Sequence, residues 1–320
     1  MKILVFGAGV IGTMHAWAFE RAGHNVSLLV RPGRESRWAD GVALRILDGR
    51  EGRTEETKVL YRPYVVNAFG PEDGYDLIVD AVRYTQAETV LPEIAKNRGN
   101  AVVLFFHQNW HGLDLIDRTL TKEQYVLGMP RAGGVLSNGV LDGAFEGKVN
   151  LGLSTSGRPT PPVVEGGARK NLDFVSGLFR PAGFEVETTE NMEHWYWVHF
   201  ASTAVYTGAI AKEGGYDAFA QNKKAIHEAL LAGREAMDIC AARGVDVRRM
   251  EDARMFVTAP LVVAPLMRRA LNQPMTRRMS QTQPEYAAEF RHIYDEVIET
   301  GHQLNVPTPH LDAYRSYVDA

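Results

Sequence analysis

Four short runs, residues 3–6, 26–30, 77–82 and 102–106, are apolar almost without interruption and rich in Val, Ile, Leu and Phe. A strand that is apolar at successive positions is buried on both faces, the condition of a strand inside a parallel sheet. Between these runs, residues 14–22 and 87–95 repeat their apolar positions at helical spacing. Strand–helix–strand alternation predicts an α/β domain whose parallel sheet is covered on both faces. Residues 129–157 carry turn signals at Gly133-Gly134, Asn138-Gly139, Asp142-Gly143 and Glu146-Gly147, so antiparallel strands and hairpins are expected to close that sheet. Pro159, Pro161 and Pro162 mark an exposed loop. From about residue 190 strand-like runs become scarce. Helical patterns follow at 193–211, 223–243, 252–271 (interrupted by proline) and 285–304, which predicts an all-helical second domain. The boundary is placed at 189/190, giving domains 1–189 and 190–320.

Composition narrows the function classes. A chain of 320 residues is long enough for two buried cores. Thirty-five Lys and Arg against 39 Asp and Glu leave a net charge of −4, which excludes the basic surplus of a protein that lives on nucleic acid or on anionic membranes. No stretch reaches the ~18 uninterrupted apolar residues of a membrane helix; the best candidate, residues 256–267, is cut by Pro260 and Pro265. The apolar start is expected to be a strand, since it lacks the pattern of a signal peptide. One cysteine, Cys240, excludes an internal disulfide framework and a multi-cysteine metal cage. A soluble protein of a reducing cytoplasm, with a buried inert thiol, is the expectation. No metal-binding motif such as HExxH occurs.

The strongest motif is Gly7-Ala8-Gly9-Val10-Ile11-Gly12, directly after the first predicted strand and at the start of the first helix. Gly7 permits a tight turn, Gly9 lets a diphosphate approach the backbone, and Gly12 lets the helix pack close to the sheet. The backbone of Val10 and Ile11 then belongs to a helix N-terminus that favours an anion. Dinucleotide binding is the reading. Which dinucleotide is decided after the second strand, where an NAD site needs an acid for the ribose 2′-hydroxyl. Here stands Val30-Arg31-Pro32-Gly33-Arg34, with no acid before Glu35. A guanidinium suits a 2′-phosphate, so Arg31 points to NADP(H); Arg34 and Arg37 read equally well as a solvated helix start.

Further polar residues fall where ligands bind in open α/β sheets, beyond the carboxyl ends of strands. They are Arg83, after the third run, and Asn109, in His107-Gln108-Asn109 after the fourth. Each is also an ordinary turn residue. In the second domain, residues 193–207 are almost wholly apolar or aromatic, yet His199, Thr203 and Thr207 recur every four residues as one polar stripe. Such a stripe needs partners or a cleft. Reduction of a ketone leaves a developing alkoxide that needs a proton donor, and histidine titrates in the right range. A lone histidine on such a helix is also, ordinarily, a satisfied core residue.

Taken together, these residues resemble the ketopantoate reductase family over nearly the whole chain. The likeness is carried by Gly7, Gly9 and Gly12, Arg31, Gln108-Asn109, Gly133-Gly134, the helix around Trp197, and Glu289 followed by Gly301 and Val306-Pro307-Thr308-Pro309. The resemblance implies an NADPH-dependent reductase of a 2-oxo acid, with a Rossmann-like domain, a helical substrate and dimerisation domain and a homodimer. It makes Asn109 the asparagine beside the nicotinamide and Glu289 the acid on the C-terminal helix; the plain alternative for Glu289 is a surface acid paired with His292. The catalytic helix departs from the family's Trp-x-Lys with two following asparagines. Here the positions read Trp197, His199, Thr203 and Thr207, and Arg83 stands for a lysine.

The leading expectation is therefore an NADPH-dependent carbonyl reductase in which His199 replaces lysine as proton donor, Asn109 and Glu289 complete the catalytic set, and Thr203 and Thr207 line the substrate. The alternative is a non-catalytic NADP(H)-binding sensor on the same fold.

Overall fold

Strands that are apolar toward both faces can lie only inside a covered sheet, and six strands here run parallel in one. The structure is a computed structural model and describes residues 1–52, 54–153, 167–189, 191–281 and 286–319. The expected loop at Pro159, Pro161 and Pro162, and Glu285 as the start of the last long helix, lie outside the described residues.

The strands are β1 (Lys2–Phe6), β2 (Asn25–Leu29), β3 (Val42–Asp48), β4 (Glu55–Tyr61), β5 (Tyr64–Val66), β6 (Leu77–Asp80), β7 (Val102–Phe105), β8 (Tyr125–Met129), β9 (Ala132–Ser137), β10 (Val140–Phe145), β11 (Lys148–Gly152) and β12 (Glu185–Thr189). The main sheet has the order β12-β11-β8-β7-β6-β1-β2-β5. From β5 to β8 every pairing is parallel; β11 then pairs antiparallel with β8, and β12 parallel with β11. The chain moves from β1 outward to β2 and β5, then returns to the other side of β1 with β6, β7 and β8. That is the Rossmann order, and the reversal between β1 and β6 makes the crevice where such sheets bind ligands. The core strands are buried at successive positions, as their composition demands: Ile3, Leu4, Val5, Leu77, Ile78 and Val79 have no accessible surface.

The glycine-marked segment corrects the expectation. Asn138-Gly139 is the predicted hairpin turn, with φ of 50° and 74°, joining β9 to β10. This hairpin does not close the main sheet, however. It belongs to a second sheet, β4-β3-β10-β9, in which β10 runs parallel to β3. Gly134 and Gly143 are not turn residues: they face each other across β9 and β10. A Cβ at Gly143 would lie 2.9 Å from the Met14 sulfur.

The reason is the first helix, α1 (Val10–Arg21). It approaches the main sheet so closely that a Cβ at Gly12 would lie 1.9 Å from the Gly7 carbonyl oxygen, while Gly143 makes room for Met14 from the second sheet. Glycines on both sides set the height of α1.

His15 sits within this packing. It has no accessible surface, its Nδ1–H donates to the Ile11 carbonyl at 2.8 Å, and its ring stacks on Phe184 with Phe106 and Phe145 edge-on. Burial lowers its pKa to about 4. The unfolded chain therefore binds a proton below pH ~6.5 that the folded protein refuses until about pH 4. Stability should fall as pH drops through that window, by up to about 3 kcal/mol from this group alone. Urea unfolding of the wild type and of His15→Leu between pH 7 and 4 checks this; the wild-type curve should lose more than the variant.

The chain divides into two compact units, Met1–Glu193 and His194–Ala320. The division falls within the first turn of α5 (Met192–Glu213), a few residues beyond the change in sequence texture at 189/190. Ahead of it lie α2 (Ala87–Asn97), α3 (Asp114–Thr119) and α4 (Gly167–Phe179). The second unit is helical among its described residues: α6 (Tyr216–Gln221), α7 (Lys223–Ala242), α8 (Arg254–Val257), α9 (Pro260–Leu271), α10 (Pro274–Met279), α11 (Ala287–Gln303) and two single turns near the C-terminus. The expected helix over 252–271 is two helices, because Pro260 sits in the first turn of α9, where its missing N–H costs nothing. Buried α7 is the centre of this unit; Gly233 on it admits the ring of Phe256. Cys240, also on α7, is fully buried, and burial pushes its thiol pKa up to about 12, so it is an inert core thiol.

Candidate dinucleotide-binding site

The turn between β1 and α1 is built by its glycines. Gly7 has φ of +116°, and its Cα packs so tightly on the Ala81 backbone that a Cβ would lie 3.0 Å from it. Gly9 differs. A Cβ there would meet nothing within 4 Å, so open space lies over the turn. Gly9 is also the N-cap of α1, with no capping side chain and no acid in the first turn. The N–H groups of a helix start lack intrahelical acceptors and carry a partial positive charge. A missing cap, no acid and an open approach are what a diphosphate needs. The residues fit a dinucleotide.

Gly7, Gly9, Val10, Ile11 and Gly12 share this turn. Arg31, Arg83 and Asn109 follow the ends of β2, β6 and β7; β2 and β6 flank β1 and β7 lies next to β6, so all of these lie along one edge of the sheet. Arg31 and Arg83 are exposed. Glu35, the first acid after β2, accepts from its own backbone N–H and from Asn67 Nδ2 at 2.5 Å, and these bonds hold its carboxyl below the usual range. Asn109 is 8% exposed, and its Oδ1 accepts the His111 N–H at 3.2 Å.

One pair at this edge escaped sequence reasoning. Asp80, the last residue of β6, and His107, just past β7, form a buried carboxylate–imidazole contact, Nε2 to Oδ2 at 3.2 Å. The available signal was a carboxylate inside the otherwise apolar run 77–82.

In the second unit, His199, Thr203 and Thr207 lie half-buried on α5. His199 stacks on Trp195, with ring centroids 5.2 Å apart and planes 10° apart. The Thr203 hydroxyl donates to the His199 carbonyl at 2.9 Å and the Thr207 hydroxyl to the Thr203 carbonyl at 2.8 Å. Both donors are thus used within the helix, which leaves the hydroxyl oxygens as acceptors. Glu289 lies in the first turn of α11, where an acid also complements the helix dipole. His292 Nε2 lies 3.2 Å from Glu296, one turn further along the same helix.

Comparison with known proteins agrees with the sheet order and the glycine turn. The family model described as ketopantoate reductase PanE/ApbA matches residues 3–155. Solved structures share the whole fold. A D-mandelate dehydrogenase, in a ternary structure with NADH and anilino(oxo)acetate, is 16% identical with a TM-score of 0.68, covering 100% of this chain and 97% of its own. The 2-dehydropantoate 2-reductase of Geobacter metallireducens GS-15 is 15% identical with a TM-score of 0.70, covering 100% and 99%. A PanE/ApbA family ketopantoate reductase of Ralstonia eutropha JMP134 is 18% identical with a TM-score of 0.68, covering 100% and 97%. At these identities the likeness is one of fold: a mixed α/β sheet domain followed by a helical region.

The matched stretch includes the glycine turn, Arg31, Arg83 and Asn109. It ends before α5 and α11, so His199, Thr203, Thr207 and Glu289 lie outside the matched residues. Among the described residues, no helix is long and apolar enough to cross a membrane.

Proposed function

We propose that this protein is an NADPH-dependent oxidoreductase that reduces the carbonyl of a 2-oxo-acid-like substrate. The observation that carries the reading is the open, uncapped start of α1 at Gly9, beside the point where the strand order reverses. The N–H groups of Val10 and Ile11 hold the diphosphate, and Gly12 keeps the helix near enough to the sheet for them to do so. Arg31 takes the 2′-phosphate, an assignment supported by Glu35 already being bonded to Asn67. Arg83 and Asn109 serve the same edge, Asn109 with an amide that both donates and accepts. A bound reduced nicotinamide supplies a hydride. His199 gives its proton to the oxygen as the substrate carbonyl is reduced, and its stacking on Trp195 fixes the plane in which it does so. Thr203 and Thr207 offer acceptor oxygens to a substrate hydroxyl, and Glu289 orients the donor.

The second reading, a non-catalytic NADP(H)-binding protein, is favoured by the two threonine hydroxyls spending their protons inside α5. One set of measurements separates the readings. Calorimetry should show NADPH binding more tightly than NADH, with the preference reduced at least tenfold in Arg31→Ala; equal affinities in the wild type overturn the NADP(H) assignment. A panel of 2-oxo acids should then consume NADPH, with turnover lowered at least tenfold in His199→Ala while NADPH affinity stays unchanged. Tight NADPH binding without turnover of any substrate supports the sensor.

A further inference from the structure

Asp80 closes the apolar run Leu77-Ile78-Val79 with a carboxylate that has no accessible surface, and the His107 side chain beside it is 2% exposed. A carboxylate only accepts, so the imidazole nitrogen that faces it, Nε2, carries the proton and donates to Oδ2 at 3.2 Å. The second oxygen, Oδ1, accepts the Val82 N–H at 3.2 Å. His107 Nδ1 is buried with no hydrogen-bond partner among the described residues. Moving such a pair out of water costs free energy that two well-packed apolar side chains would not, so stability does not account for it.

Two loops hang on this pair. The bond to Val82 closes the turn after β6, and that turn carries Ala81, whose backbone packs against Gly7 of the phosphate turn. The bond from His107 fixes the second residue after β7, two positions before Asn109, and Asn109 in turn accepts the His111 N–H. Asp80 and Phe105 are register partners, and Phe106 N–H donates to the Asp80 carbonyl at 2.9 Å, so the strand ends meet at this point. One buried carboxylate therefore spans both turns on the β6 side of the crevice.

We propose that Asp80 and His107 are a positioning pair, which holds the turn 80–83 and the loop 107–111, and through them Asn109, in the arrangement that the dinucleotide site requires. The proposal rests on the reading of that edge as a dinucleotide site, and neither residue is assigned a contact with the coenzyme.

Two measurements test it. The first needs no ligand: amide hydrogen exchange at Val82 and His111, followed by NMR. In His107→Leu both amides should exchange at least tenfold faster, with Leu4 and Val5 in β1 as internal references for global opening. The second is NADPH affinity. His107→Leu should weaken it at least tenfold, whereas His107→Gln, whose amide nitrogen reaches the place of Nε2, should stay within threefold of the wild type. A purely structural role would lower stability in both variants without separating their affinities. Unchanged exchange at Val82 and His111, or equal loss of affinity in the Leu and Gln variants, overturns the proposal. Should His107→Leu not fold, Asp80→Ala carries the same test: it removes the acceptors of both the Val82 N–H and His107, so the Val82 amide should exchange at least tenfold faster, and unchanged exchange there overturns the proposal. A wild type that binds neither dinucleotide overturns the reading of the site, while the exchange experiment still decides whether the pair holds the loops.

Discussion

Gly9→Asp is expected to make the protein more stable and to abolish dinucleotide binding. The backbone at Gly9 has φ −87° and ψ −167°, which any residue adopts and which suits a helix N-cap. No side chain caps α1, no acid lies in its first turn, and a Cβ at Gly9 meets open space. An aspartate there can accept from the free N–H groups and complement the positive end of the helix, a gain of about 1 kcal/mol. The same carboxylate stands where a diphosphate would approach. Two like charges about 4 Å apart repel by about 4 kcal/mol at an effective dielectric of ~20, which corresponds to more than a hundredfold in affinity. Thermal unfolding and calorimetry with NADPH, run on one preparation, read the two opposite effects. Affinity that survives the substitution would place the diphosphate elsewhere.

Gly12→Ala, by contrast, should damage the fold itself. The added carbon would lie 1.9 Å from the Gly7 carbonyl oxygen and 3.1 Å from Val5 Cγ1, and the first of these is backbone that cannot rotate away. Relief requires α1 to rise from the main sheet, yet Met14 on its other side already fills the space opened by Gly143. With both escapes closed, a loss of about 3 kcal/mol or more is expected, at the severe end for a single added methyl. Urea unfolding measures it, and Gly9→Ala, which meets nothing, is the matched control expected to stay within about 0.5 kcal/mol of wild type. Equal destabilisation by the two alanines would contradict the geometry of the turn.

The contrast between these neighbouring glycines shows what the sequence could convey. A pattern of three glycines between an apolar run and an amphipathic segment declares the turn, and β1, β2, β6 and β7 all begin or end within two residues of the runs that announce them. The long helices of the second unit were equally plain, since their apolar spacing persists over several turns. The second sheet was not legible. β3 buries Val42, Leu44 and Ile46 at alternate positions, a weaker signal than a continuous run, and β4 is mostly exposed and polar. Gly133-Gly134 and Asp142-Gly143 look like turns because glycine is the usual turn residue; here it makes space for a helix, a demand set by tertiary contact. Asp80 hid for a similar reason, since a single carboxylate in a strand acquires meaning only from what stands on the next strand.

The parallel alignment of β3 with β10 has a consequence for how the molecule assembles. The two strands are separated by roughly a hundred residues of chain, and bringing them together requires ordering everything between them. The small sheet is thus expected to form late in folding, after the strands that surround α1. Until it forms, Met14 and the apolar side of α1 are bare, and β4 presents Val59 and Leu60 on an unpaired border. Substitutions that slow this closure should lower the yield of native protein during synthesis far more than they lower the stability of the finished molecule.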